Sequence, residues 1–194
     1  RSHGTHVMAI AAEQLAGSDP GQRPIIGVEL PEASVADPVG NYLYAYIVLG
    51  VIYALSRAET LANGQPLPLV CNISYGPHDG PHDGTHDFEV VVDLLIELSR
   101  QSITPLEVVL GAGNSRQTRT HAAFNLAPTT SRTLQWRLQP DDLLPSSLQI
   151  WVPTDAAAGI TVTVKPPDGT SWTINAGNPS TREQWAALAH KLQV

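Results

Sequence analysis

Val108-Val109-Leu110-Gly111-Ala112-Gly113-Asn114 is the stretch whose reading decides the fold: a short apolar run enters a glycine turn, and an asparagine stands directly after it. Such a run reads as a buried strand whose last residues break out of the sheet at its carboxyl end. Upstream, Phe88 to Arg100 places Val91, Leu94, Leu95 and Leu98 at helical spacing, which predicts a helix. Leu69 to Ser74 reads as a second strand, Tyr42 to Ala62 as a long helix closed by Asn63-Gly64, and Ile25 to Leu30 as a short buried strand. Nearer the start, Val7, Ile10, Ala11 and Leu15 share one helical face, with Gly17 placed to end that helix. Alternating strands and helices with short connections predict an α/β fold, a mostly parallel sheet with helices on both faces. Ligands in such sheets bind beyond the carboxyl ends of the strands, where Ser74 and Asn114 would lie.

Beyond about Ala123 the period changes to two. Leu134-Gln135-Trp136-Arg137-Leu138, Leu148-Gln149-Ile150-Trp151-Val152 and Ile160-Thr161-Val162-Thr163-Val164 alternate apolar and polar residues between proline- and aspartate-rich turns. Strands of that kind predict an antiparallel β-sandwich or jelly-roll-like unit with one face buried. Ser180-Thr181-Arg182-Glu183 ahead of Trp185, Leu188 and Leu192 has capping-box spacing and predicts a final helix. The expected organisation is therefore an α/β part over residues 1–125, a β-rich part over 126–178 and a helix over 179–194.

The 194 residues, 42% of them apolar, are enough for a buried core. A net charge of -7 gives no basic footprint for phosphate neutralisation, so nucleic acid is excluded as the expected partner. The apolar run Tyr42 to Leu55 is shorter than the roughly 18 to 20 residues that cross a bilayer, and it is read as a buried helix. A lone Cys71 excludes an internal disulfide and leaves the compartment open.

Ser2-His3-Gly4-Thr5-His6-Val7 carries a histidine immediately before a small-residue helix pattern. A serine hydroxyl needs an imidazole to take its proton, a carboxylate to orient that ring and donors for the developing oxyanion. Residues 2–7 resemble the histidine motif of the subtilisin-like serine peptidases, and Gly111-Ala112-Gly113-Asn114 resembles the same family's oxyanion motif, in the same order along the chain. Where the family usually carries glycine, this chain has Ala9. The resemblance implies that His3 is the general base, that His6 is structural and that the Asn114 carboxamide donates to the oxyanion. It also implies that Ser74-Tyr75-Gly76, with Gly113, presents backbone groups to an extended peptide or protein substrate as an added strand. The family's acid precedes its histidine motif and its nucleophile follows its asparagine, so the chain is expected to be a fragment that is inactive alone. No cofactor is expected, and a secreted or cell-envelope location is what the resemblance favours.

Pro77-His78-Asp79-Gly80-Pro81-His82-Asp83-Gly84-Thr85-His86-Asp87 repeats His-Asp and invites a metal reading. Pro81, Gly80 and Gly84 prevent the helix that would align the three imidazoles, so the expectation is a turn-rich loop with no metal, capping the next helix through Asp87. A Gly-Pro-His-Asp-Gly-Thr stretch here is similar to the family branch that includes the clostridial germination proteases, in which a jelly-roll domain is inserted after the oxyanion asparagine. Gly169-Thr170-Ser171 matches the family's nucleophile tripeptide, but Trp172-Thr173-Ile174-Asn175 continues a β pattern instead of opening a helix, so Ser171 is not nominated. Asp19 and Asp37 follow the histidine in turn-like segments and are not nominated as the acid. Two rival functions remain: a pseudoprotease or regulatory module that binds peptide without cleaving it, and a β-sandwich binding module. The latter would use Trp136, Trp151 and Trp172, whose alternating strand positions are read first as core.

Overall fold

A computed structural model of the chain describes residues 3–12, 24–35, 41–76, 78–137, 148–152, 159–166 and 170–175. It divides into two units, Arg1–Ala122 and Ala123–Val194. The first contains α1 (His3–Ala11), α2 (Glu32–Val35), α3 (Asn41–Ala62), β1 (Leu69–Ile73), α4 (Asp87–Ser99) and β2 (Leu106–Leu110). The second contains β3 (Thr161–Val164) and β4 (Trp172–Asn175).

The core of the first unit forms where one stripe of α3 meets the sheet. Leu43, Ile47 and Val51 recur at helical spacing and are buried with Leu106 of β2, and Leu69, Cys71 and Ile73 of β1, Val108 of β2, and Phe88, Leu95 and Ile96 of α4 pack around them. Strands β1 and β2 pair in parallel, with Leu69 opposite Leu106 and Ile73 opposite Leu110. The chain runs β1, α4, β2, which is a βαβ crossover. Its return is pinned by Ser99, whose buried hydroxyl donates to the Ile96 carbonyl at 2.7 Å and accepts from the Leu106 backbone N–H at 2.9 Å. Burial raises the Cys71 thiol pKa, as an apolar surrounding does to any thiol.

Several expectations are corrected. The parallel sheet among the described residues has two strands, and α3 and α4 both pack on one face of it; residues of the alternate parity, Val70 at 64% exposure and Val109 at 49%, leave the other face open. The expectation of helices on both faces therefore fails for the described residues. Residues 25–30 form no strand. Val28 instead touches α3, its Cγ1 methyl 3.2 Å from where a Gly50 Cβ would stand, and Leu30 packs on the core cluster, while Ile25 and Val28 stay largely exposed. Helix α1 begins at His3, earlier than its apolar stripe, and buries none of its residues. It ends at Ala11, with Ala12 in a turn, short of the expected end near Leu15 and Gly17, two residues that themselves lie outside the described ones. Helix α3 has 22 residues and closes as expected through left-handed Asn63 and Gly64; by length and composition it is also apolar enough to cross a membrane.

In the second unit, β3 and β4 form an antiparallel hairpin with Val162 opposite Ile174, and Ile174 is buried. The alternating segments at 134–137 and 148–152 form no strands. Trp136 and Trp151 stand 39% and 57% exposed, against the expectation that they are core. The described part of this unit is thus a hairpin and not yet a sandwich, because alternation yields a strand only where a second strand pairs with it. The predicted helix at 179–194 lies outside the described residues.

The one-sided core makes a clear prediction. Leu106→Ala is expected to lower the unfolding free energy by about 2–5 kcal/mol, as cavity formation at a packed leucine does. Val109→Ala, on the open face, is expected to change it by less than about 1 kcal/mol. Urea titration of the two variants measures both.

Candidate functional site at the carboxyl edge of the parallel pair

Because Ile73 and Leu110 are in register, Ser74-Tyr75-Gly76 and Gly111 to Asn114 leave the sheet side by side at the same carboxyl edge. The edge is polar and open: Ser74, Tyr75, Gly76, Gly113 and Asn114 are all exposed. Asn72 Nδ2 donates to Ser74 Oγ at 3.0 Å, which ties the end of β1 to the segment that follows it. Gly113 has φ +82, a left-handed conformation that turns the chain away from β2 and that glycine adopts without strain. After it, the Thr118 N–H and hydroxyl both donate to the Ser115 carbonyl, at 3.0 and 2.7 Å, closing a turn. No hydrogen bond engages the Asn114 carboxamide among the described residues.

The structure brings a residue to this turn that sequence reasoning missed. His78 Nε2 lies 2.9 Å from Ser115 Oγ, a hydrogen bond across 37 positions of sequence. The same ring crowds Gly113, since a Cβ there would come 3.0 Å from His78 Cε1. His82 Nε2 donates to the His78 carbonyl at 3.1 Å, and the His82 ring lies 5.7 Å from that of His121. Neighbouring Asp79 accepts a 2.6 Å hydrogen bond from the Tyr44 hydroxyl on α3. Burial, followed by that hydrogen bond and the nearby Asp79 and Glu89 charges, pushes the Tyr44 phenol well above its usual range.

The three imidazoles of the His/Asp-rich loop thus take three different tasks. His78 bridges to Ser115 and His82 to His121. His86 caps α4, its Nδ1 accepting from the Phe88 N–H at 3.2 Å while Glu89 Oε2 accepts from the His86 N–H at 3.1 Å. This corrects the expectation of a cap through Asp87: the cap is His86, and the His-x-x-Glu spacing of a capping box is the signal for it. His86 and Phe88 also lie against the Tyr44 ring, with centroids 4.8 and 4.9 Å away. Asp83 turns the loop by accepting from the Thr85 hydroxyl and N–H, and those bonds hold its carboxyl below the usual range. Among the described residues no group of three His, Cys, Asp or Glu side chains converges as a metal site.

His3 occupies the first position of α1 with its imidazole exposed, and His6 lies one turn on, also exposed. Among the described residues no hydrogen bond or ring contact joins His3 to Asn114 or to the Ser74-Tyr75-Gly76 segment. The edge residues are brought together by the sheet, whereas His3 stands at the start of α1. Ser171 leads directly into β4. Asp19 and Asp37 lie outside the described residues.

No protein-family model matches the chain, and no curated protein or solved structure is significantly similar to it.

The Tyr44–Asp79 contact sets an alkaline limit. A phenol whose pKa is raised by folding stabilises the fold fully below its unfolded pKa of about 10, and that contribution is lost as pH rises through the folded value. Wild-type denaturation midpoints are expected to fall above about pH 10. Tyr44→Phe, which has no proton to lose, is expected to show a shallower fall over the same range in parallel urea titrations.

Proposed function

We propose that the chain carries the base and oxyanion parts of a subtilisin-like serine endopeptidase that cleaves peptide bonds by a Ser/His/Asp mechanism. The observation that carries this reading is the shared carboxyl edge: the register of β1 with β2 sets Ser74-Tyr75-Gly76 beside the Gly113-Asn114 turn. An extended substrate running along exposed Ser74 to Gly76 would find backbone partners there, and its scissile carbonyl would meet a carboxamide that has no other hydrogen bond among the described residues. The exposed imidazole of His3 at the start of α1 supports its role as the group that takes the serine proton.

No serine of this chain has the context of the nucleophile, and no aspartate that of the orienting acid. The 194-residue chain is therefore expected to hydrolyse no casein and to form no adduct with a fluorophosphonate, measured by gel assay and intact mass. A polypeptide extended to contain an aspartate motif before residue 1 and a serine motif after residue 194 is expected to cleave peptides. In it, Asn114→Ala lowers kcat by about 10²–10³ with little change in KM, the signature of a donor used only in the transition state. Full activity in that variant excludes the oxyanion role.

A second reading has its own observation. The exposed indoles of Trp136 and Trp151 offer flat apolar faces of the kind that stack on sugar rings, which favours a binding role for the second unit. Intrinsic fluorescence that responds saturably to added oligosaccharides would support it; an unchanged emission spectrum would reject it.

A further inference from the structure

We infer that His78 is a positioning residue that holds the Gly113-Asn114-Ser115 turn, so that the backbone from which the Asn114 side chain projects is fixed at the sheet edge. The inference rests on the oxyanion role proposed for Asn114, but its structural content is independent of that role. One imidazole touches both flanks of Asn114. On one side its Cε1 packs against Gly113, close enough that any side chain at 113 would have to displace the ring. On the other its Nε2 is hydrogen-bonded to Ser115 Oγ at 2.9 Å. Asn114 is exposed and has no hydrogen bond of its own among the described residues, so what His78 fixes is the backbone that carries its side chain.

His78 is itself held from the core. Tyr44 projects from α3, whose Leu43 and Ile47 are buried, and its hydroxyl grips Asp79 next to His78 at 2.6 Å. His82 donates to the His78 carbonyl at 3.1 Å, bracing the loop from the other side. A continuous chain of contacts therefore runs from α3 through Tyr44, Asp79 and His78 to the flanks of Asn114. Holding the backbone on both sides removes the larger part of the freedom a donor on an exposed turn would otherwise have and leaves only its rotamers to be set by a bound substrate. Ser115 also resembles a nucleophile with its base, a Ser–His pair at hydrogen-bond distance. No carboxylate among the described residues orients the other nitrogen of His78, and the Asp79 carboxylate is taken by Tyr44. The geometry is that of a latch between two loops.

The test is nuclear magnetic resonance on the 194-residue chain, following the Asn114 side-chain amide and the backbone amides of Gly113 and Ser115. In His78→Ala these resonances are expected to shift and broaden, while those of Val51, Val92 and Leu106 stay in place as evidence of an intact core. Ser115→Ala removes the same bond from the other end and is expected to produce the same displacement of the Asn114 signal. His78→Gln, which retains a hydrogen-bonding terminus, is expected to restore most of it. An unmoved Asn114 signal in folded His78→Ala overturns the inference. So does a fluorophosphonate adduct on Ser115 that His78→Ala abolishes, since His78 would then be a base. A fully active Asn114→Ala in the extended polypeptide would remove the oxyanion role while leaving the latch measurable, so the two failures are distinct.

Discussion

The burial of Leu43, Ile47 and Val51 against Leu106 is the contact on which the rest of the first unit depends. It fixes α3 across both strands at once, and so fixes where each strand ends. The register that sets Ile73 opposite Leu110 then delivers the two segments that follow to one place. Ser74, Tyr75, Gly76, Gly113 and Asn114 at the carboxyl edge are all exposed, so burial does not hold them in position. The geometry of the edge is inherited from a hydrophobic contact that includes none of the site residues.

Tyr44 is the point where that inheritance passes from apolar packing to hydrogen bonding. It belongs to the same helix as the core residues, yet its hydroxyl reaches Asp79 and its ring lies against His86 and Phe88. One phenol thus joins the core helix, the His/Asp-rich loop and the start of α4. Partial removal of the phenol from water makes the phenolate costly, and the contact with the Asp79 carboxylate makes it costlier still. The proton that stays on Tyr44 is the one that holds Asp79.

The long helix α3, the helix α4 and both parallel strands were legible in sequence, because each combines a sustained period with a glycine, asparagine or capping signal at its boundary. Residues 25–30 and 148–152 were misread for a common reason. Apolar alternation or an apolar run describes what one segment offers, whereas a strand exists only in a pair, and the side chain of Val28 found its partner on α3 at Gly50. The grouping of Ser74 to Gly76 with Asn114 at one strand edge followed from the fold rule for parallel sheets. The His78–Ser115 bond had no such rule behind it: it joins two loops across 37 positions, and neither residue type announces that partner. The His-Asp repeat predicts a turn-rich loop, because Pro81, Gly80 and Gly84 prevent a helix, but it carries no signal for what each imidazole meets. Imidazole is equally a helix cap, a ring to stack and a bridge between loops, and here His86, His82 and His78 serve one each.

The remaining physical question at the edge is how an exposed side chain acts as an oriented dipole. A carboxamide in water gains no net energy from one hydrogen bond over another, and its torsional freedom opposes any single pose. Its usefulness to a developing negative charge, on the proposed reading, lies in paying that entropy before the reaction and not during it. The chain around Asn114 meets the backbone part of the requirement: Gly113 is held at φ +82 under the His78 ring, and Ser115 is closed into a turn by Thr118. With both flanks fixed, the side chain retains only its own two torsions. Rigidity at this edge is therefore supplied by loops that lean on one another, with the core beneath deciding only where they start.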